Sequence, residues 1–335
     1  MKHTKIIIQA VIGILLIAAV IYFLNPTQLV NVFLSIKVEY FFLAILAYVA
    51  MNIVNAYRLK TIFNKVGRKI HVKELLLAQF GGMLASDVTP GRSGYLITPF
   101  LIKDKVPVES GFSAIFGIQI IDFFVKIIGG ILAVVYLSYV AKFDAALFWL
   151  AVFGISIVTA FALIMAFALW SKKAEKVLIM LEKIPFAGKL FKSLVDKIET
   201  FQHEGKQIKS VYPQLILLTG ITWIGKGFEW VFIGMALGIN FPFYVYMLLQ
   251  PLITILQFVP ISPAGLGFQE SAGLIVFLLL GITKESAFVF NLLARIVLLL
   301  PDIVLGLYPI IKNGVDIFEV EEKVENTEIK ESGIK

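Results

Sequence analysis

Apolar runs of about 20 residues recur from one end of the chain to the other, separated by short stretches in which charge is concentrated. A run of 18 or more such residues is long enough to cross the roughly 30 Å hydrocarbon core of a bilayer as a helix. The pattern predicts six spans, approximately Ile6 to Leu24, Tyr40 to Tyr57, Ser110 to Val140, Ala145 to Trp170, Val211 to Leu237 and Ala287 to Ile311. The first follows a basic start as a signal peptide would, but it has full spanning length and no small-x-small cleavage site, so it reads as a membrane helix. Two further apolar segments, about Val72 to Ile102 and Phe241 to Gly281, are too long for one span and are split in the middle by Pro and Gly. In lipid a broken helix is tolerated only where the freed backbone groups are buried in protein or line a wet cavity. Both segments are therefore expected to be re-entrant hairpins, each made of two short helices meeting at the break. The expected fold class is all-α: a polytopic integral membrane protein of six transmembrane helices plus two re-entrant broken hairpins.

The two breaks are near copies of one motif. Thr89-Pro90-Gly91-Arg92-Ser93-Gly94-Tyr95 and Ser262-Pro263-Ala264-Gly265-Leu266-Gly267-Phe268 both read [Ser/Thr]-Pro-[Gly/Ala]-x-x-Gly-[aromatic], 173 residues apart. The same offset matches Ser113-Ala114 to Ser286-Ala287 and Asp122 to Arg295. Lys and Arg gather in the loop from Arg58 to Lys73, in the segment Lys172 to Lys209 and at both termini, while the opposite side holds only Lys37, Lys142 and Lys284. Cytoplasmic loops carry that excess, which predicts cytoplasmic N- and C-termini in a cell membrane. The first hairpin then enters from the cytoplasm and the second from outside, so the halves, approximately 1–141 and 142–312, read as inverted repeats. Folds of that kind place substrate near the midplane where the discontinuous helices meet, here between Arg92 and Gly265.

Composition narrows the chemistry. Of 335 residues 59% are hydrophobic and 16% charged, there is no Cys, and the net charge is +7. One membrane domain is expected over 1–312, with a charged, disordered tail at 313–335. The segment 172–209, with Leu178, Leu181, Ile184, Leu190, Leu194 and Ile198 among its lysines, is expected to be an amphipathic connector lying on anionic inner-leaflet lipid. Without Cys, disulfides, zinc-thiolate sites and thiol nucleophiles are excluded. His3, His71 and His203 all fall in polar segments, and no Gly-x-x-x-x-Gly-Lys-[Ser/Thr] loop occurs. No metal, no cofactor and no nucleic-acid partner is expected.

Intramembrane charges are the candidate site, because each costs roughly 2.5 to 3.5 kcal/mol at a helix centre on insertion scales and persists where it is paired, hydrated or useful. The spans and hairpins hold Asp87, Arg92, Asp122, Lys126, Lys226, Glu229, Glu270, Arg295 and Asp302. Asp122 with Lys126 and Lys226 with Glu229 have the i, i+4 and i, i+3 spacings of same-face pairs. Arg295 and Asp302 share a face, and Arg295 could meet Asp122, its counterpart at the repeat offset. Arg92 lies in the first break, where half-helix ends and an Arg fork suit a phosphate; the alternative is that it pairs with Asp87. Glu270 could balance Arg92, bind a cationic headgroup or take up a proton.

At these residues the chain resembles the integral membrane proteins related to the transmembrane region of lysylphosphatidylglycerol synthase. The resemblance runs from Ile6 to about Lys312 and rests on Thr-Pro-Gly-Arg-x-Gly at Thr89 to Gly94, Pro-Ala-Gly-Leu-Gly-Phe-Gln-Glu at Pro263 to Glu270, and Leu-Leu-Ala-Arg ending at Arg295. It implies a lipid flippase region, with Arg92, Glu270 and Arg295 as the positions carried over. Family members often have Glu directly after Pro-Gly-Arg-x-Gly, where this chain has Tyr95. After Ile311 only 24 residues follow, rich in Glu and Lys, so the soluble transferase domain of the larger members is not expected here. Three functions stay open: a translocase for a phospholipid or polyprenyl-phosphate-type lipid, an intramembrane lipid-modifying enzyme or its subunit with Glu270 or Asp122 as base, and an accessory partner of a membrane enzyme docked through Lys172 to Lys209. Gly129-Gly130 would permit close helix contacts, as in a homo-oligomer.

Overall fold

The computed structural model describes residues 18, 21–22, 24–89, 91–141, 145–171, 173–174, 198–255, 258, 262 and 265–315. Most of the predicted first span, Pro90, Pro263, most of the basic connector and the tail beyond 315 lie outside these residues. The described chain is helical, and five of its helices are long and apolar enough to cross a membrane.

A short helix, α1 (Pro26–Leu34), begins at an Asn25 cap whose side chain accepts from the Thr27 and Gln28 amides. It leads into α2 (Val38–Lys65), then α3 (Val72–Val88), which stops at the first motif. The chain resumes as a 3-10 turn (Ser93–Ile97) and a single helical turn, α4 (Thr98–Leu101), before the long α5 (Val108–Val140) and α6 (Ala145–Trp170). The second half contains α7 (Ile198–Ile208), α8 (Tyr212–Ala236), α9 (Phe243–Ile255), α10 (Phe268–Leu279) and α11 (Lys284–Lys312). At a rise of about 1.5 Å per residue, α9 and α10 are each about 20 Å long or less, too short to cross the hydrocarbon core. The segment expected to be the first hairpin is not two even helices, because after the break it continues as a 3-10 turn and one helical turn.

Helix α2 runs about two turns past its predicted end at Tyr57, so Arg58 stands inside a helix rather than in a cytoplasmic loop. The basic residues of a helix end can continue the helix while their apolar stems cover its neighbours. Lipid-facing surface explains the remaining apolar excess: only 17% of the most apolar stretch of α6 is buried. A helix that is apolar all round needs no polar partner when its solvent is lipid.

Packing exchanges partners between the halves. Helices α2 and α8 lie along each other, and the Lys37 amide at the start of α2 donates to Ala236 O at the end of α8 (2.9 Å), which makes them antiparallel. Helix α3 packs on α11, and α9 packs on α5. The α3–α11 crossing is close enough that a Cβ at Gly306 would meet the backbone of Phe80, the kind of small-residue contact that brings membrane helices together.

Two internal details show how broken backbone is satisfied. Pro251 in α9 has no N–H for the carbonyl four residues back, and that carbonyl, Met247 O, accepts instead from Trp223 Nε1 (3.2 Å). The last carbonyls of α6 are met by Gln202, whose Nε2 donates to Ala168 O (3.1 Å) and Ser171 O (2.7 Å). Gln202 belongs to α7, the described end of the basic connector. The apolar face of that end packs on protein: Phe201 and Ile208 are buried against α5 and α6, Glu204 accepts from Ser110 Oγ (2.7 Å), and Ser113 Oγ donates to Phe201 O (2.8 Å). Its amphipathic face finds protein because α5 offers matching hydroxyls. Gly129 and Gly130 likewise face inward, where a Cβ would meet Pro251 and Ile255 of α9, so their smallness serves packing within the chain.

Candidate functional site

Five helices each carry a polar stripe at helical spacing, and the stripes converge on one cavity of about 210 Å³. The stripes are Tyr48, Asn52, Asn55 and Arg58 on α2, Gln79, Met83 and Ser86 on α3, and Gln119, Asp122 and Lys126 on α5. Helix α8 adds Thr219, Thr222, Lys226 and Glu229, and α9 adds Gln250 and Thr254. Residues three or four apart share a face of a helix, so each stripe presents a continuous polar edge. The first break contributes Arg92 and Tyr95, and Gln269 comes from the start of α10.

The first motif is built to hold Arg92 at this cavity. Thr89 Oγ1 donates to Ala85 O (2.9 Å) and accepts from the Gly94 amide (2.7 Å), tying off the end of α3. A Cβ at Gly94 would collide with the Ala85 carbonyl and with Thr89 Oγ1, so the close approach requires glycine. Arg92 itself has φ 57°, the one non-glycine residue with positive φ among the described residues. That conformation costs an L-residue roughly 1–2 kcal/mol, and strain of this kind collects at functional positions. In the second motif Ser262 Oγ donates to Leu266 O (2.7 Å), Gly265 and Gly267 take positive φ, and the Gly267 amide donates to Glu270 Oε2 (2.7 Å). Arg92 and Gly265 are thus left-handed at matching motif positions.

Charge partners differ from those that spacing along one helix suggested. Asp122 does not pair with Lys126 or Arg295; Arg58 forks onto it, with Nη2 2.5 Å from Oδ1 and Nη1 3.3 Å from Oδ2. A guanidinium fork matches a carboxylate in two parallel bonds, which an ammonium cannot. Lys126 turns to Thr254 Oγ1 (2.9 Å) and sits 5.7 Å from the centre of the Phe258 ring. Among the described residues Lys126 makes no ion pair. Lys226 does pair with Glu229 (3.0 Å), as its spacing predicted, and lies 4.9 Å over the Tyr48 ring.

Glu270 does not meet Arg92 but takes Arg295 Nε at 2.5 Å. Arg92 pairs with Asp87, Nη2 to Oδ1 3.2 Å, and donates to Ser86 Oγ (2.9 Å). Asp302 parts from Arg295 and accepts from the Tyr48 hydroxyl, whose distances to Oδ1 and Oδ2 are 2.8 and 3.0 Å. Of the five charged residues expected at the site, Arg92 and Asp122 line the cavity; Asp87, Glu270 and Arg295 stand behind its wall as buried pairs. The cavity lies among the five helices; Arg92 lines it and Gly265 does not. Tyr95, which stands where a Glu is frequent, also lines it and donates to Gln79 Oε1 (2.6 Å).

The walls therefore bring four cationic side chains, Arg58, Arg92, Lys126 and Lys226, against two anionic ones, Asp122 and Glu229. Arg58 was missed by the sequence reading because it followed the end of an apolar run. The Tyr48, Asn52, Asn55, Arg58 stripe was the signal that could have found it.

In comparison with known families, the family described as the lysylphosphatidylglycerol synthase TM region matches residues 6–306. No curated protein and no solved structure matches the chain.

Proposed function

Since this chain belongs to the family of the lysylphosphatidylglycerol synthase transmembrane region, the membrane part of lipid-modifying and flippase proteins, we propose that it is a lipid translocase that takes a phosphate-bearing headgroup into the central cavity. The observation that carries this reading is the charge balance of the cavity wall. Four cations face two anions, and among the described residues Lys126 is held by a hydroxyl and an aromatic ring without an ion pair. Removed from water, an ammonium without a counter-ion attracts a mobile anion strongly. Phosphate is the anion that every membrane phospholipid and polyprenyl phosphate offers.

Cavity size supports the same reading. A volume of about 210 Å³ suits a headgroup and not a whole lipid, so acyl chains would remain in the bilayer. The short arms at the two breaks and the exchanged packing, α3 on α11 and α9 on α5, support an inverted repeat of two re-entrant hairpins. Rocking one half against the other around the fixed site would expose it to each leaflet in turn. The basic residues at the loop ends support cytoplasmic termini in a cell membrane. A headgroup carrying extra amines would cancel the advantage of the cationic wall, so a plain phosphate ester fits better than an aminoacylated one.

The test is leaflet transfer in proteoliposomes of labelled phosphatidylglycerol, lysylphosphatidylglycerol and a polyprenyl phosphate, with the lipids recovered and analysed afterwards. Expected is protein-dependent transfer of one phosphate lipid class, chemically unaltered, reduced at least tenfold in Lys126→Gln. Altered lipid would point to an enzyme instead. Transfer that Lys126→Gln leaves at the wild-type rate would remove the cavity from the account.

A further inference from the structure

We propose that the headgroup taken into the cavity is a sugar phosphate, Lys126 receiving the phosphate while Gln250 and Gln119 receive hydroxyls of the sugar; this rests on the phosphate reading above. Gln250 on α9 is 7% exposed, Gln119 on α5 is half-buried, and both line the cavity. Among the described residues neither carboxamide makes a hydrogen bond. Other buried amides of this chain are engaged with protein: Asn52 Nδ2 donates to Tyr48 O (3.0 Å), Asn291 Nδ2 donates to Ala287 O (2.7 Å), and Gln79 Oε1 accepts from Tyr95. Holding a helix in place therefore accounts for those amides and leaves Gln250 and Gln119 without a task. A buried amide with no partner forfeits its hydration without return, which points to a ligand that supplies the partner.

Position ties these amides to the anion site. Gln250 stands one turn before Thr254, whose hydroxyl holds Lys126, and residues four apart on a helix have Cβ atoms about 5–6 Å from each other. A group bonded to a phosphate on Lys126 lies within that reach. Gln119 shares a face of α5 with Asp122 and Lys126 and lines the same cavity.

The chemistry of the wall selects hydroxyls. A carboxamide donates through nitrogen and accepts through oxygen, and a hydroxyl does both, so the two pair in either orientation. An amine finds less: Asp122 is forked by Arg58 and Glu229 holds Lys226, so both acids of the wall already have a cation. Room selects a ring. A cavity of about 150 Å³ holds one benzene ring, and this one, at about 210 Å³, takes a six-membered ring with space left for the phosphate. Glycerol, an open chain of three carbons, is smaller than such a ring. Trp223, pinned by its bond to Met247 O (3.2 Å), and Trp230 also line the cavity, and aromatic side chains offer the apolar face of a pyranose a surface to pack on.

The experiment uses the full chain in nanodiscs and three dodecyl phosphodiesters, of glucose, of glycerol and of cyclohexanol. The cyclohexyl compound keeps the ring and the charge and lacks the hydroxyls. Dissociation constants are measured for the wild type, Gln250→Leu, Gln119→Leu and Lys126→Gln. The glucosyl compound should bind at least about tenfold more tightly than the cyclohexyl one, because a polar site rejects an analogue that leaves its amides unpaired. Each Leu variant should shrink that ratio severalfold, and Lys126→Gln should weaken both compounds while leaving the ratio in place. The ratio is read within one protein, so a general loss of folded material does not imitate the effect. Equal binding of the glucosyl and cyclohexyl compounds overturns the sugar and leaves the phosphate reading standing. Glyceryl binding as tight as glucosyl binding overturns the ring. A ratio that both Leu variants leave unchanged overturns the assignment to these two amides. No binding of any of the three removes the phosphate reading and the sugar with it.

Discussion

Removing one partner of the Arg58–Asp122 pair should destabilise the protein very unequally depending on which partner goes. Arg58 has a side chain 3% exposed, whereas Asp122 is 27% exposed toward the cavity. In Asp122→Asn the guanidinium stays buried without its counter-charge, with Asn55 Oδ1 at 3.0 Å, and its Nε already lacks a partner among the described residues. Breaking a buried pair from that side costs about 3–5 kcal/mol, so the unfolded fraction should rise at least a hundredfold. In Arg58→Gln the carboxylate left behind can hydrate from the cavity, and the cost should be about 1–2 kcal/mol. The double variant Arg58→Gln/Asp122→Asn leaves no buried charge and should recover most of the loss. The assay is reversible unfolding in mixed micelles, with the three variants compared as a double-mutant cycle. Equal losses for the two single variants, or a double variant as unstable as Asp122→Asn, would refute the assignment of a dry guanidinium held by one carboxylate.

Further expectations follow from the same packing. Gly220 in α8 has open space where a Cβ would go, so Gly220→Ala should stabilise by about 0.5–1 kcal/mol in the same unfolding assay. Gly273→Ala, which would drive a methyl into Asn291, should cost about 1–3 kcal/mol. Because the chain has no Cys, Ser93→Cys and Leu266→Cys give clean topology probes. Impermeant reagent should reach the first from the cytoplasm and the second from outside, and labelling only from the reversed sides would refute the inverted hairpins. Glu270→Gln should weaken both the Arg295 pair and the cap on the Gly267 amide, lowering the unfolding midpoint more than Lys126→Gln does.

Helix positions were legible in the chain because the bilayer imposes a length and the backbone must satisfy itself. The apolar run at Ala145–Trp170 matches its helix residue for residue, and the Pro-Gly clusters at both motifs mark where helices stop. Lys226 with Glu229 was also readable, since a pair three residues apart needs only the helix that carries it. The other charge partnerships were decided in three dimensions. Asp122 had an ammonium one turn away, yet bonds a guanidinium 64 residues distant, and Glu270 pairs 25 residues on with Arg295. Periodicity fixes which face of a helix a side chain occupies but not which helix lies opposite; that depends on where small residues such as Gly306 let backbones approach. Arg58 shows the same division, because its place in a polar stripe is written in the chain while its burial depends on α5 lying across it.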